Sequence, residues 1–294
     1  MTISAESASA KQAGAKTVIK SVATKQGLKK SDPIGLASSA ALLFDKDSNR
    51  VLFQKNADSI LPIASITKLM TAIVVLDAKQ PMDELIPIGT ADMDTVKNTH
   101  SRLRIGISLT RKQLLHIALM SSENSAAHTL CRHYPGGESA CLANMNRRAK
   151  QIGMSSTNFT DPTGLTYQNQ STAHDLSILV AKAAEYDIIR QFSTSIEETV
   201  IVNNTNLYFR TTNNLVKKQD WQIAVQKTGF IAEAGFCLVL ETKVTNRNII
   251  MVFLDANSVQ GRIADAERAR SWLTKQPINK HIVESKPNDN KDAV

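Results

Sequence analysis

A serine and a lysine separated by two residues, Ser65 and Lys68, are the side chains of this sequence that point most directly to chemistry. Two further short motifs follow in order: residues 122–124 are Ser-Glu-Asn and residues 227–229 are Lys-Thr-Gly. The ordered set S-x-x-K, S-x-N and K-T-G matches the motifs of enzymes that transfer an acyl group through an active-site serine. The chemistry indicated is therefore attack by the Ser65 hydroxyl on a carbonyl carbon.

Single motifs of this kind arise by chance, so the set has weight only in combination. At average composition a chain of this length contains roughly one S-x-x-K and about one S-x-N by accident, and K-T-G occurs in roughly one such chain in ten or twenty. A second S-x-N, at residues 156–158, is better explained as a turn after a helix. The order of the motifs and their surroundings decide the matter.

Ser65 begins a stretch, residues 65–78, that is apolar on nearly every side and predicts a helix buried within a domain. Free backbone N–H groups and the dipole at a helix start favour negative charge developing at the serine. Lys68 falls on the same helical face, and burial beside a second cation, for which Lys227 is the candidate, would lower its pKa enough for it to act as a base. The alternative, a serine cap and a surface lysine, does not explain a lysine in the first turn of so apolar a helix.

Ser122 and Asn124 follow a predicted helix that ends at Met120, in a loop position suited to presenting polar groups to a cleft. We assign Ser122 the proton relay to a leaving amine, and Asn124 the anchoring of Lys68 and of a substrate amide. Taken alone, the segment reads equally well as helix capping by Ser121 or Ser122.

The third motif is expected to end a strand at residues 222–226. Gly229 has no side chain to obstruct an extended peptide along an exposed sheet edge. We expect Lys227 and Thr228 to hold a substrate carboxylate, and the N–H groups of Ser65 and Phe230 to form an oxyanion hole. The alternative is a plain turn at the end of a strand.

The elements that must position these residues follow from hydrophobic periodicity. A hairpin is predicted at residues 40–44 and 51–54, further strands at residues 221–228, 236–244 and 249–254, and further helices at residues 111–120, 124–132, 139–152, 172–185 and 262–275. Strands near both chain ends with helices between them predict an α+β fold. We expect an antiparallel sheet built from both chain ends, flanked by helices, with an all-helical subdomain inserted at about residues 79–198 and the active site in the cleft between them.

Composition predicts one domain at residues 36–276, a disordered leader at residues 1–35 and a disordered tail at residues 277–294. No apolar run is long enough to cross a membrane, and no signal-peptide core follows Met1. Either the protein is cytoplasmic or a secretory signal has already been removed.

The net charge of +8 does not indicate a nucleic-acid partner. Residues 1–33 carry six Lys against Glu6 and Asp32, which is +4, and the other +4 is spread over the remaining 261 residues. Aromatic residues make up only 5%, too few for a base-stacking platform. A solvated surface explains the charge, the alternative being weak attraction to an anionic polymer.

The sequence around the motifs resembles the low-molecular-mass penicillin-binding proteins, which have the β-lactamase/DD-peptidase-like fold. The resemblance extends from about Leu36 to Leu273 and rests on the segments at residues 62–72, 119–124 with 133–137, 161–165 and 227–230. It implies a periplasmic serine DD-endopeptidase that hydrolyses D-alanyl-diaminopimelate cross-links in peptidoglycan through an acyl-enzyme on Ser65. It further implies covalent inhibition by β-lactams, and no metal or organic cofactor.

Two departures from relatives refine this resemblance. The D-Ala-D-Ala carboxypeptidases usually carry a further β domain and an amphipathic membrane anchor, for which this chain leaves no room, and this favours the soluble endopeptidase branch. Class A β-lactamases use a Glu to activate the deacylating water, whereas residues 158–174 contain none, so slow penicillin turnover is expected. Carboxypeptidase activity and a penicillin sensor without turnover remain the alternatives.

Cysteine and histidine residues suggest two other kinds of site. His128, Cys131 and His133 form a short and incomplete set of zinc ligands, so no metal site is predicted. Cys131 and Cys141 either form a disulfide between two helices or remain two reduced, buried thiols, while Cys237 is expected in the core.

Overall fold

The computed structural model describes residues 32–276 except residues 95, 98 and 100. The predicted tail, residues 277–294, and residues 1–31 of the predicted leader lie outside this part of the chain. Residues 32–35 of that leader are described, and they are folded. The Asp32 carboxylate accepts hydrogen bonds from the N–H groups of Gly35 and Leu36, and Ile34 is buried.

Within the described residues there are eleven strands: β1 (Ala40–Asp45), β2 (Arg50–Lys55), β3 (Leu61–Pro62), β4 (Leu85–Pro87), β5 (Ser108–Thr110), β6 (Gln170–Ser171), β7 (Glu197–Val202), β8 (Thr205–Arg210), β9 (Ile223–Ile231), β10 (Gly235–Val244) and β11 (Arg247–Ala256). Five of them form an antiparallel sheet in the order β2-β1-β11-β10-β9. The first and last strands of the chain are neighbours, with Leu42 opposite Val252. The predicted α+β class, with a sheet built from both chain ends, is confirmed.

Seven α-helices accompany these strands in the described residues: α1 (Lys68–Asp77), α2 (Arg111–Met120), α3 (Asn124–Arg132), α4 (Gly137–Gln151), α5 (Ala173–Ala183), α6 (Asp187–Ser193) and α7 (Val259–Lys275). Five of them lie between β2 and β9 in addition to α1. The bounds of α2 and α3 coincide with the prediction. The insertion at about residues 79–198 was predicted to be all-helical, which is wrong, because it also contains the antiparallel pair β4 and β5. Its extent as a subdomain stays a prediction.

The central sheet separates two apolar clusters, because successive strand residues face opposite sides. Leu42 and Val252 belong to the cluster that contains α1, whereas their neighbours Leu43 and Phe253 belong to the one covered by α7. Burial on both faces explains why β1 and β11 are continuous apolar runs. The resulting sheet presents β9 as an edge strand next to the turn, residues 64–67, that precedes α1.

One prediction about strands was wrong, and one hairpin was missed. The strand containing Lys227 does not end there but continues to Ile231, where it turns into β10. The β7–β8 hairpin was not predicted at all. Its two-residue turn, Asn203 and Asn204, has positive φ at both positions, which is the backbone conformation that a type I′ hairpin turn requires.

Candidate active site

Ser65 lies in a turn of 3₁₀ helix, Ala64–Thr67, that leads directly into α1. The predicted helix at residues 65–78 therefore becomes α-helical only at Lys68. Ala64 has φ +46°, a left-handed conformation that is unfavourable for a residue with a Cβ. The turn is held by the Thr67 hydroxyl, which donates to the Ala64 carbonyl at 2.8 Å. Such strain is typical of positions that present a functional group.

Lys68 is 1% exposed, and its ammonium nitrogen has three oxygen partners. Nζ lies 2.8 Å from Ser65 Oγ, 2.7 Å from Asn124 Oδ1 and 2.7 Å from the Thr163 carbonyl oxygen. The nucleophile and the base predicted from the first motif are therefore in hydrogen-bond contact.

Burial lowers the pKa of Lys68 from 10.5 to about 7. The nearby charges with most effect on this pKa are the carboxylates of Asp161, Glu123 and Asp94, and all three oppose the shift. Lys227, expected to be the second cation that depresses this pKa, is itself fully buried, and burial together with Lys68 holds its own pKa well below 10.5. Burial is the largest cause of the shift at Lys68 and the nearby carboxylates oppose it, so desolvation and not cationic repulsion accounts for the lowered pKa.

Ser122 faces the same space from the opposite side. Its φ of +62° turns the side chain toward β9, where its Oγ accepts a 2.8 Å hydrogen bond from Lys227 Nζ. Lys227 also donates to the Thr228 carbonyl at 3.0 Å. The capping alternative for this segment does not hold, because the residue before α3 is Glu123, without a side-chain cap, and Ser121 bonds back to the Ile117 carbonyl.

Asn124, the first residue of α3, connects Lys68 to the outer part of the site. Its Oδ1 accepts from Lys68, while its Nδ2 donates to Thr99 Oγ1 at 2.9 Å. A side-chain amide accepts through its oxygen and donates through its nitrogen. The hydrogen bond from Nδ2 to Thr99 therefore holds the amide with Oδ1 facing Lys68. The first two motifs are therefore joined by a direct contact.

A loop at residues 161–164 completes the surroundings of Lys68, and motif reasoning gave it no role. Asp161 Oδ1 accepts hydrogen bonds from the N–H groups of Thr163 and Gly164 at 2.6 and 2.7 Å. This turn presents the Thr163 carbonyl to Lys68. Gly164 has φ +82°, and a Cβ there would lie 1.9 Å from the Ala64 carbonyl oxygen, so only glycine fits. The signal available in the sequence was the Asp-Pro-Thr-Gly turn itself.

The edge of β9 passes directly beside the serine. A Cβ on Gly229 would lie 2.9 Å from the Ile63 carbonyl oxygen and 3.2 Å from the Ser65 nitrogen. The missing side chain therefore lets the strand approach the turn that carries Ser65. Phe230, the next residue, is 54% exposed and stacks on Phe236 at 4.2 Å between ring centroids.

Two further residues support this strand and were not predicted. Thr212 and Thr228 share a 2.5 Å hydrogen bond between their hydroxyl oxygens. Arg262 of α7, nearly buried, donates from Nη1 to the carbonyl oxygens of Gly229 and Cys237 at 3.0 and 3.2 Å. Both contacts join segments that are distant in sequence, so no local sequence pattern predicts them.

A cleft of about 200 Å³ opens beside Asn124 and is lined by Asp94, His128 and Asp161 among others. No group of three His, Cys, Asp or Glu side chains with a metal-binding arrangement is found in residues 32–276 as described. Cys131 is bonded to Cys141, with Cα atoms 5.5 Å apart, so the alternative of two free thiols there is wrong. Cys237 is a buried free thiol, as expected.

This chain, with its serine, two buried lysines and edge strand, is similar to known proteins. The family model described as D-alanyl-D-alanine carboxypeptidase, peptidase family S11, matches residues 26–258. The chain belongs to this family. It is therefore a serine D-Ala-D-Ala peptidase, and the resemblance to low-molecular-mass penicillin-binding proteins is confirmed.

Individual relatives agree with this family assignment. A D-alanyl-D-alanine endopeptidase of Pseudomonas aeruginosa is 45% identical over 240 residues, covering 81% of this chain and 77% of that protein. The Streptomyces K15 DD-transpeptidase has TM-score 0.75 and 26% identity, covering 81% of this chain and 97% of its own. Penicillin-binding protein D2 of Listeria monocytogenes, in its ampicillin-bound form, has TM-score 0.69 and 28% identity, with coverages of 80% and 96%.

Membership of this family leaves the location and the preferred substrate to be argued separately. No helix within the described part of the chain has both the length and the apolar character to cross a membrane.

Proposed function

We propose that this S11-family protein is a serine DD-endopeptidase that hydrolyses D-alanyl-diaminopimelate cross-links of peptidoglycan through an acyl-enzyme on Ser65. The observation that carries the proposal is the 2.8 Å contact between Ser65 Oγ and the buried Nζ of Lys68. The similarity to the Pseudomonas aeruginosa endopeptidase supports the choice of cross-link over terminal residue.

Acylation begins with proton transfer from Ser65 Oγ to neutral Lys68. The oxygen then forms a bond to the D-alanyl carbonyl carbon, and the carbonyl electron pair moves onto oxygen. The N–H groups of Ser65 and Phe230 stabilise that oxyanion, for which the close approach of β9 at Gly229 is the supporting geometry. Asn124 holds Lys68 through Oδ1 and positions a substrate amide.

Collapse of the tetrahedral intermediate breaks the bond between carbon and nitrogen, and the leaving amine needs a proton. Ser122 relays it: the Ser122 hydroxyl proton passes to the amine and is replaced by the proton that Lys68 took from Ser65, while the hydrogen bond from Lys227 orients the hydroxyl. The carboxylate beside the leaving amine binds Lys227 and Thr228, which lie on the strand that the substrate pairs with.

Water then hydrolyses the ester on Ser65 and regenerates the serine. We expect this step to be slow for penicillin. Asp161 is the acid present in residues 158–174, and its oxygens already accept from the N–H groups of Thr163, Gly164 and Thr166. It is thereby committed to the turn and unsuited to activating water in the way a β-lactamase glutamate does.

The remaining parts of the proposal concern surroundings and partners. Peptidoglycan as the substrate implies a periplasmic location, with peptidoglycan peptides as the partners. β-Lactams act as covalent inhibitors, for which the ampicillin-bound form of the Listeria monocytogenes relative is the support.

The test uses a purified cross-linked muropeptide dimer and a pentapeptide monomer, each incubated with the wild type and with Ser65→Ala and analysed by mass spectrometry. Conversion of dimer to monomers by the wild type alone supports the endopeptidase. Loss of terminal D-Ala from the pentapeptide alone moves the protein to the carboxypeptidases, the activity named in the family description. Acylation by penicillin without cleavage of either peptide supports a sensor.

A further inference from the structure

A second groove, of about 590 Å³, lies outside the catalytic contacts described above. One wall is the segment 101–107 and the other is the β7–β8 hairpin. The first wall contributes Arg102 and Arg104, and the second contributes Tyr208 together with the amides of Asn203 and Asn206. The groove is therefore larger than the cleft beside Asn124, and its lining combines two arginines and polar side chains with the apolar side chains of Ile107, Val202 and Leu207.

The two arginines are available to a ligand. Both are exposed, and neither has an ion-pair partner among the side chains of the described residues. Arg102 lies over the Phe209 ring, with its guanidinium carbon 5.7 Å from the ring centroid, which orients it. Glu197, an acid on the hairpin, accepts a hydrogen bond from the Tyr208 hydroxyl. The groove thus offers planar donors suited to carboxylates.

Each wall of the groove contacts the chain close to Ser122, one wall just after this residue and the other just before it. Ser101, at the end of the first wall, lies beside the Glu123 carboxyl, whose pKa is raised by burial and lowered in part by the Ser101 hydroxyl. Beyond the second wall, the N–H of Thr212 donates to the Met120 carbonyl at 3.3 Å, and its hydroxyl contacts Thr228. The first wall is therefore joined to Glu123, beside the proposed proton donor, and the second is joined through Thr212 to Thr228, on the strand that would hold the leaving part of the substrate. The smaller cleft lies instead on the side of Asn124.

From this placement we infer that the groove binds the leaving strand of the cross-link, the anionic stem peptide that bears the released amine, with Arg102 and Arg104 holding one of its carboxylates. This inference rests on the proposed endopeptidase function. In a carboxypeptidase substrate the leaving group is a single alanine, which ends at Lys227 and Thr228 and does not reach the groove. The two arginines should therefore contribute to cleavage of cross-linked dimers and not to cleavage of pentapeptides.

The test is the double variant Arg102→Ala/Arg104→Ala, compared with Arg147→Ala/Lys150→Ala, which removes two exposed cations from the end of α4. We expect kcat/KM for the muropeptide dimer to fall about 10-fold in the groove variant, the size of effect that two partly solvated charge-assisted hydrogen bonds produce. Pentapeptide cleavage and the rate of acylation by a fluorescent penicillin stay at wild-type values, which also shows that the variant is folded. The control variant behaves as the wild type.

Two further measurements sharpen the result. Raising the salt concentration should reduce dimer cleavage in the wild type more than in the groove variant, since exposed charges are screened. A dimer whose stem carboxylates are amidated should be cleaved equally by both. Equal cleavage of the unmodified dimer by wild type and groove variant would overturn the inference and leave the endopeptidase proposal standing. A wild type that does not cleave the dimer at all would instead remove the proposed function.

Discussion

The guanidinium of Arg262 donates a 3.0 Å hydrogen bond to the carbonyl oxygen of Gly229, so α7 holds the strand that passes the nucleophile. The same nitrogen reaches the Cys237 carbonyl on the neighbouring strand. Arg262 therefore joins β9 and β10 at the level of the active site. Its contribution is positional, because its side chain packs behind the strand and not in the cleft.

Replacing Arg262 by Met should lower both stability and acylation. Two buried carbonyl groups would lose a charged donor, at a cost of about 1–3 kcal/mol in the free energy of unfolding. Denaturant unfolding and the rate of labelling by a fluorescent penicillin measure the two effects. Arg147→Met, at an exposed position of α4, should change neither. An Arg262→Met protein with wild-type stability would show that the two hydrogen bonds are unimportant.

The two candidate proton-transfer residues should behave differently in acylation. Lys68→Ala removes the base in contact with Ser65 and should abolish labelling by the fluorescent penicillin. Ser122→Ala should leave slow labelling, about 10²-fold or more below the wild type, since it acts on proton delivery. Gel fluorescence over a time course measures both rates. Normal labelling of the Lys68 variant would exclude Lys68 from the mechanism.

Acylation should rise with pH through about 7, because burial lowers the pKa of Lys68 to that value and the neutral amine is the base. Below this pKa the ammonium predominates and the rate falls. Glu123 is one of the carboxylates that raise the pKa of Lys68, so Glu123→Gln should move the midpoint to lower pH. The pH dependence of the penicillin acylation rate measures the midpoint in both proteins. A midpoint near 10 would show that Lys68 is not desolvated.

Gly229→Ala should impair acylation because the new methyl group meets the turn that carries Ser65. Either the strand or the turn must shift, and loss of one oxyanion donor alone costs about 10²–10³ in rate. Gly89→Ala is the matched control, since its Cβ would have no neighbour closer than 3.5 Å. Rates of penicillin acylation and melting temperatures of the two variants separate a local effect from unfolding. Wild-type kinetics in Gly229→Ala would contradict the close approach.

The disulfide between Cys131 and Cys141 closes a loop with a sequence separation of 10. Its reduction should lower the free energy of unfolding by about 2–3 kcal/mol, since the unfolded chain gains freedom. Urea unfolding with and without a phosphine reductant measures the change, and alkylation of denatured, unreduced protein should label Cys237 alone. Three alkylated cysteines by mass spectrometry would show that the bridge is absent.

Sequence reasoning found what local patterns specify. The limits of α2 and α3 follow from apolar periodicity, and the contact between Ser65 and Lys68 follows from their spacing on one helical face. The hairpin turn at Asn203 and Asn204 was also present as a local signal, and it was missed. The lysine contact with the Thr163 carbonyl joins residues 95 positions apart. Such a contact depends on packing of the whole domain, which no local pattern contains.

Pairing of the first strand with the last also determines when this fold can form. Leu42 lies opposite Val252, and β11 occupies the centre of the sheet between β1 and β10. A growing chain therefore cannot assemble the sheet until nearly all of the domain has been synthesised, and contacts so distant in sequence slow folding. Ser65 is made early, but the strand beside it and Arg262 behind that strand come late. The nucleophile thus stays inactive in the incomplete chain.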